Sequence, residues 1–247
     1  MIRWFVAGLL LAAPARAADL TVLTAGAYKT VAAAVVPAFE AQTGDRVILR
    51  NDTTGALIHR IEAGESFDVV LISPSGLNQL AKAGKIVADS ETKVAKVGVG
   101  VAVKKGASKP DISTVAAFKA AMLKARAVAY LDPAAGGTSG IYVAKLFKTL
   151  GIADAIAPKA VLVNGGLAAE AVADGRADIV VHQISEILMV PGVTLVGPLP
   201  AEIQSETVYA GAIGTASASP ESARAFLATL TGPAARSVLV AKGMTPP

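Results

Sequence analysis

Residues 50–73, RNDTTGALIHRIEAGESFDVVLIS, contain the unit from which the rest of the chain is read. The apolar run RVILR, residues 46–50, breaks off into Asn51-Asp52-Thr53-Thr54-Gly55. A helical pattern with Leu57, Ile58 and Ile61 follows, and a second apolar run, FDVVLIS, closes the segment. Strand, polar junction, helix and strand in that order specify an α/β unit.

The pattern recurs outward in both directions. The runs DLTVLTA (19–25), DRVILR (45–50), FDVVLIS (67–73), VGVGVAVKK (97–105), AVAYLDP (127–133), AVLVNGG (160–166), DIVVHQIS (178–185) and VTLVGPL (193–199) are short and rich in Val and Leu. Each is closed by small or polar residues, which predicts buried strands of a largely parallel sheet. Between them, apolar residues fall at helical spacing, at Val31, Val35, Val36 and Phe39 and again at Tyr142, Leu146 and Leu150. The chain returns to strand at ETVYAGAIGTAS (206–217) and ends in a helix predicted over 220–230, opened by Ser219.

The first seventeen residues, MIRWFVAGLLLAAPARA, read differently. A basic start at Arg3, an apolar stretch from Trp4 to Ala13 and the small-x-small triplet Ala15-Arg16-Ala17 predict a signal peptide cleaved after Ala17, hence an exported, periplasmic protein. The apolar part is roughly ten residues, half of the ~20 that a membrane span needs. With no cysteine in the chain, a lipid anchor on cysteine, a disulfide and a thiolate metal site are all excluded. Arg3 and Arg16 carry half of the formal net charge of +4, so the basicity does not point to a nucleic-acid surface. The length allows one large domain or two smaller ones, and 17% charged with 4% aromatic residues describes a compact, alanine-rich α/β protein.

Four strand-to-helix junctions share one chemistry: TAGAYKT (24–30), DTTGAL (52–57), AAGGTSGIY (134–142) and VNGGLAAE (163–170). Each puts Gly, Ser, Thr or Asn where a helix begins. The first N–H groups of a helix lack intrahelical partners and carry the positive end of the dipole, so small residues there let an anion approach. Helix capping explains any one junction equally well. Four in one chain favour a ligand site, because ligands of open α/β sheets collect at the carboxyl ends of the strands.

GALIHRIEAGESFDVVLISPSGLNQLAKAGKI (55–86) resembles type II periplasmic solute-binding proteins of the molybdate-binding branch. VVPAFEAQTGDRV (35–47), GGTSGIYVAKLFKTLGI (136–152) and SPESARAFLATLTGPAARSVLVAKGM (219–244) extend the resemblance over nearly all of the chain after the signal peptide. It implies two α/β lobes, 18–100 with 206–247 and 101–205, each a mostly parallel sheet flanked by helices. Two strands would cross between them near 98–101 and 204–208. A monomer closing by hinge bending on a small anionic ligand is expected, with the membrane subunits of an ABC importer as partners. The junctions, the resemblance and the departures from it described below together make Ala27, Tyr28, Lys29, Thr53, Thr54, Gly55, Ser73, Thr138, Ser139, Gly140, Asn164, Gly165, His182 and Gln183 the expected ligand-binding residues.

Two departures bear on the ligand. The first loop reads Gly26-Ala27-Tyr28 where the molybdate-binding branch has a serine, and His182-Gln183 stand where it has a tyrosine. A larger, less symmetric site favours an organic carboxylate over molybdate or tungstate. HQISEILMVPGVTLVGPLPAEIQ (182–204) also resembles the aconitate isomerases, exported enzymes on the same scaffold. If the chain is such an isomerase, His182 or Lys29 is its expected acid or base.

His59 and His182 are the only histidines. His59, next to Arg60, is expected at the surface, whereas His182 ends an apolar strand and either meets ligand or satisfies a backbone group. Ser73 and Ser75 in ISPSG either contact ligand or cap the next helix. Lys29 reaches either an anion or solvent. GGTSG has Thr138 where a nucleophile elbow needs Ser, and GAYKT has Tyr28 where a phosphate loop needs Gly. Neither a metal nor a cofactor is called for.

Overall fold

The protein is described from a computed structural model over residues 17–247, so the predicted signal peptide lies outside the described residues except for Ala17. In chain order the elements are β1 (Asp19–Ala25), α1 (Lys29–Thr43), β2 (Arg46–Asp52), α2 (Thr54–Glu62), β3 (Val69–Ile72), α3 (Pro74–Lys82), β4 (Thr92–Lys104), α4 (Val115–Lys124), β5 (Val128–Leu131) and α5 (Thr138–Thr149). They continue with α6 (Ala153–Ile156), β6 (Ala160–Val163), α7 (Glu170–Ala173), β7 (Ile179–Gln183), α8 (Ile184–Ile187), β8 (Val193–Pro198), β9 (Glu206–Ile213), α9 (Pro220–Thr231) and α10 (Pro233–Ala241). All nine apolar runs are strands. The predicted last helix is α9, and Gly232-Pro233 restarts the chain as a further helix, α10.

The helices form where one face can be buried. In α2 the buried residues are Thr54, Leu57, Ile58 and Ile61, and in α5 they are Ser139, Gly140, Val143, Leu146 and Phe147. Three- and four-residue spacings place each set on one stripe. A Leu or Ile on such a stripe contributes roughly 1.5–3 kcal/mol on full burial.

The strands run β2-β1-β3-β9-β4-β7-β5-β6, with β8 also paired to β4. The pairs β1–β2, β1–β3, β5–β6 and β5–β7 are parallel. Every pair that involves β4 or β9 is antiparallel, so the sheet is mixed where a largely parallel one was expected. The reason lies in β4, which pairs with β9 up to Gly98 and with β7 and β8 from Val99 onward.

The core divides at that place. One cluster of buried residues draws on Leu20 to Val97 and Tyr209 to Met244, and two others draw only on Val99 to Leu199. The Gln204 amide joins the two chain segments that pass between them. Its Oε1 accepts from the amides of Val99 and Ser205, both at 2.9 Å, and its Nε2 donates to the Val99 carbonyl at 3.0 Å. Among the described residues no helix is long and apolar enough to cross a membrane.

Candidate functional site

A cavity of about 800 Å³ lies between the two sets of clusters. Its wall includes the first loop (Ala25, Gly26, Ala27, Lys29, Thr30), the end of β2 with the start of α2 (Asn51, Asp52, Thr53, Thr54) and the start of α5 (Gly137, Thr138, Ser139). Gly166, Leu167 and Glu170 close one side, Ser185, Glu186, Leu188 and Met189 another, and Tyr209 with Lys242 complete it.

The two halves meet across the mouth. The Gly55 amide donates to the Gly136 carbonyl at 3.2 Å, and the Thr53 hydroxyl donates to the Ala135 carbonyl. Deeper in, the Ser185 hydroxyl donates to the Ala27 carbonyl at 3.0 Å. These bonds hold the two halves together around the cavity.

The deepest wall carries the titratable chemistry. Serine 139 is buried, and its hydroxyl lies 3.0 Å from Nδ1 of His182, which is fully buried. Nε2 of the same ring lies 3.4 Å from Oε2 of Glu186, one turn along the chain, without hydrogen-bond geometry. Burial pushes His182 down to about 4 and Glu186 up to about 8. At neutral pH the contact is therefore between a neutral imidazole and a mostly protonated carboxyl, not an ion pair. Tyr209 stacks on Tyr28 with ring centroids 6.3 Å apart. Burial raises both phenols, and Glu186 raises Tyr209 further, so both stay protonated.

Of the residues predicted from sequence, the cavity wall takes Ala27, Lys29, Thr53, Thr54, Thr138 and Ser139. Tyr28, His182 and Gln183 stand behind it. Gln183 Nε2 donates to Thr138 at 3.1 Å and Thr207 at 2.9 Å, so Gln183 and His182 support α5 and not a ligand directly. Gly140 has no room for one, since a Cβ there would fall 2.5 Å from the Leu131 carbonyl oxygen; its smallness lets α5 pack on β5. Ser73 caps α3 by accepting from the Gly76 amide at 3.4 Å. Gly55, Asn164 and Gly165 line a smaller pocket of about 360 Å³ outside the mouth, together with the exposed His59. Asn164 and Gly165 do not open a helix, because α7 starts only at Glu170 and is four residues long.

Sequence reading passed over Asn51, Asp52, Glu170, Ser185, Glu186, Tyr209 and Lys242. For Glu186 a signal existed: it is the one charged residue of HQISEILMVP, four residues beyond His182. Lys242 comes from the far end of the chain, beyond reach of any local pattern. Among the described residues no group of three or more His, Cys, Asp or Glu side chains is placed to hold a metal ion.

What the arrangement can do follows from these groups. Lys29 and Lys242 supply positive charge, the α5 N-terminus and the hydroxyls of Thr138 and Ser139 supply donors, and Glu186 offers a carboxyl that both gives and takes a proton near neutral pH.

The chain is 35% identical over 233 residues to aconitate isomerase from Pseudomonas sp, a match that covers 92% of this chain and 87% of that protein. Its fold is similar to the periplasmic molybdate-binding protein of Azotobacter vinelandii, with a TM-score of 0.76 and 22% identity over 92% of this chain and 99% of that one. The sulfate-binding protein SubI of Mycobacterium tuberculosis gives a TM-score of 0.75 and 19% identity over 93% and 87% of the two chains. Residues 20–245 match the family described as bacterial extracellular solute-binding protein. A mixed sheet whose strand β4 runs from one half into the other, a cavity between the halves and that match together place this chain in the bacterial extracellular solute-binding protein family.

Proposed function

We propose that the protein is exported by its N-terminal signal peptide, acts as a monomer, and closes two lobes, 18–100 with 206–247 and 101–205, on a small organic polycarboxylate within which it moves a proton. The observation that carries this reading is the cavity between the two halves with Lys29 and Lys242 in its wall and a carboxyl, Glu186, that burial keeps mostly protonated at neutral pH. A dianionic tetrahedral oxyanion leaves most of that volume empty and gains no use from a group that exchanges protons. A polycarboxylate fills more of the space, pairs with the lysines and the α5 N-terminus, and accepts from the protonated carboxyl. The 35% identity to an aconitate isomerase supports an unsaturated tricarboxylate as the substrate class.

The test is direct. Purified protein is incubated with trans-aconitate and the cis isomer is measured, alongside thermal unfolding with molybdate, tungstate, sulfate and di- and tricarboxylates. Ligand that binds only the native state raises the melting temperature with log concentration. Stabilisation by tricarboxylates with formation of the cis isomer is expected; stabilisation by molybdate and tungstate alone overturns the reading.

A second reading has its own support in the twice-crossed fold, shared with molybdate- and sulfate-binding proteins. Under it the protein hands a carboxylate to an ABC importer and Glu186 only donates a hydrogen bond. Tight binding of a tricarboxylate without any isomer formation favours that reading.

A further inference from the structure

The carboxyl of Glu186 lies against the backbone of the first loop. A Cβ at Gly26 would stand 2.8 Å from its Oε1, so glycine at that position makes room for the acid. Its other oxygen, Oε2, faces the His182 ring, while the side chain lines the cavity and is 8% exposed. Among the described residues no lysine or arginine pairs with it. The titratable groups around it are His182 on β7 and Tyr209 on β9, with Lys29, Lys242, Asp52 and Glu170 elsewhere in the same wall. His182, the acid or base expected from sequence, is screened from the cavity by Ser139 and Glu186, and Lys29 is exposed. Glu186 is the acid or base that the cavity itself presents deep in its wall.

We infer that Glu186 is the catalytic residue, a single carboxyl that takes a proton from the methylene carbon of an unsaturated polycarboxylate and returns it to the carbon two bonds away. This deepens the carboxylate-isomerase reading and rests on it. In the forward step one C–H bond breaks, the proton goes to the Glu186 carboxylate, and the electron pair spreads over the allylic carbons and the adjoining carboxylate. In the return step the same proton, or one exchanged with solvent, forms a C–H bond at the former vinyl carbon, and the double bond ends one position along. Atoms and charge balance without any oxidant or co-reactant. Donors at the start of α5 and the two lysines face the charge that develops on the substrate carboxylates. His182 acts as a positioning residue: its neutral ring against Oε2 leaves the proton affinity of the Glu186 carboxylate high, so that it is a strong base once ionised, whereas a cationic ring would weaken it.

The experiment follows incorporation of solvent deuterium into trans-aconitate by proton NMR, with trans-aconitate affinity measured by calorimetry on the same samples. Wild-type protein should exchange the methylene and vinyl protons, with a rate that rises with pH toward about 8, where the carboxyl ionises. Glu186→Gln should bind within a few-fold of wild type and lose exchange by at least a hundredfold. If that variant does not fold, Glu186→Asp decides: a loss of about tenfold or more with a displaced pH profile supports the assignment, and a wild-type profile overturns it. Exchange by Glu186→Gln within tenfold of wild type overturns the assignment and leaves the isomerase reading standing. Trans-aconitate bound by wild type with neither exchange nor cis product overturns both.

Discussion

Gly55 and Gly136 meet backbone to backbone across the mouth of the cavity, and a Cβ on Gly55 would fall 2.9 Å from the Gly136 Cα. The two residues belong to different halves of the chain, so under the proposed closing of the lobes this contact is made only in the closed form. Gly55→Ala holds them apart, yet within α2 alanine is the better residue by up to ~1 kcal/mol. The unliganded variant should therefore be as stable as wild type or slightly more so, while its affinity for a tricarboxylate falls by about tenfold or more. Thermal unfolding and calorimetric titration measure the two effects, which have opposite signs.

Thr53 and Ser139 separate capping from wall chemistry. The Thr53 hydroxyl accepts from the Ala56 amide at 3.1 Å and so caps α2, and Thr53→Ala should cost about 1 kcal/mol in denaturant unfolding. Ser139 caps nothing, since α5 is preceded by Gly137 without a side-chain cap. Ser139→Ala instead strips Nδ1 of the buried His182 of its partner, which costs about 1–3 kcal/mol.

The buried pair gives stability a definite pH dependence. His182 titrates near 6.5 when unfolded and near 4 when folded, so its contribution is complete above 6.5 and lost as pH falls toward 4. Glu186 is opposite: raised from 4.5 to about 8, it contributes fully below 4.5 and is lost as pH rises toward 8. Between 4.5 and 6.5 the two slopes oppose each other, and from 6.5 to 8 only the glutamate acts. Stability should fall across that upper window by up to about 2 kcal/mol, and Glu186→Gln should abolish the fall. Denaturant melts of both proteins at pH 6.5 and 8 measure the difference.

Lys29 and Lys242 bound the cavity with positive charge, Lys29 exposed and Lys242 half-buried. Lys29→Ala should weaken tricarboxylate binding only a few-fold, because its charge is screened by solvent. Lys242→Ala should weaken it more. Titration at low and high salt checks the order, with the larger salt dependence expected for the contribution of Lys29.

The nine strands, and one face of α2, were legible in the sequence because both rest on spacing within a few residues: Leu57, Ile58 and Ile61 declare their face without help from the rest of the chain. The first loop, Thr53-Thr54 and Thr138-Ser139 were legible as cavity wall because several such junctions of small polar residues, each explicable alone as a cap, gather at the carboxyl ends of the strands. What sequence could not supply was the assignment of sides. Whether His182 or Glu186 meets the cavity depends on how β7 turns into α8, a four-residue helix too short to show a period. Gly140 and Gly55 passed as ligand contacts because a glycine required for close packing looks in sequence like a glycine required for an anion.

Gln204 bonds to both the N–H and the C=O of Val99 and to the amide of Ser205, so the two chain passages between the halves are fastened side by side. Two independent straps would let one half twist as well as swing. Under the proposed closing of the two lobes, passages fastened at this point form a single door-hinge, about which the far rim at Gly55 and Gly136 travels most and the strand next to Gly98 and Val99 least. Such a hinge would direct entry and departure of ligand to one side, the side where the two glycines meet.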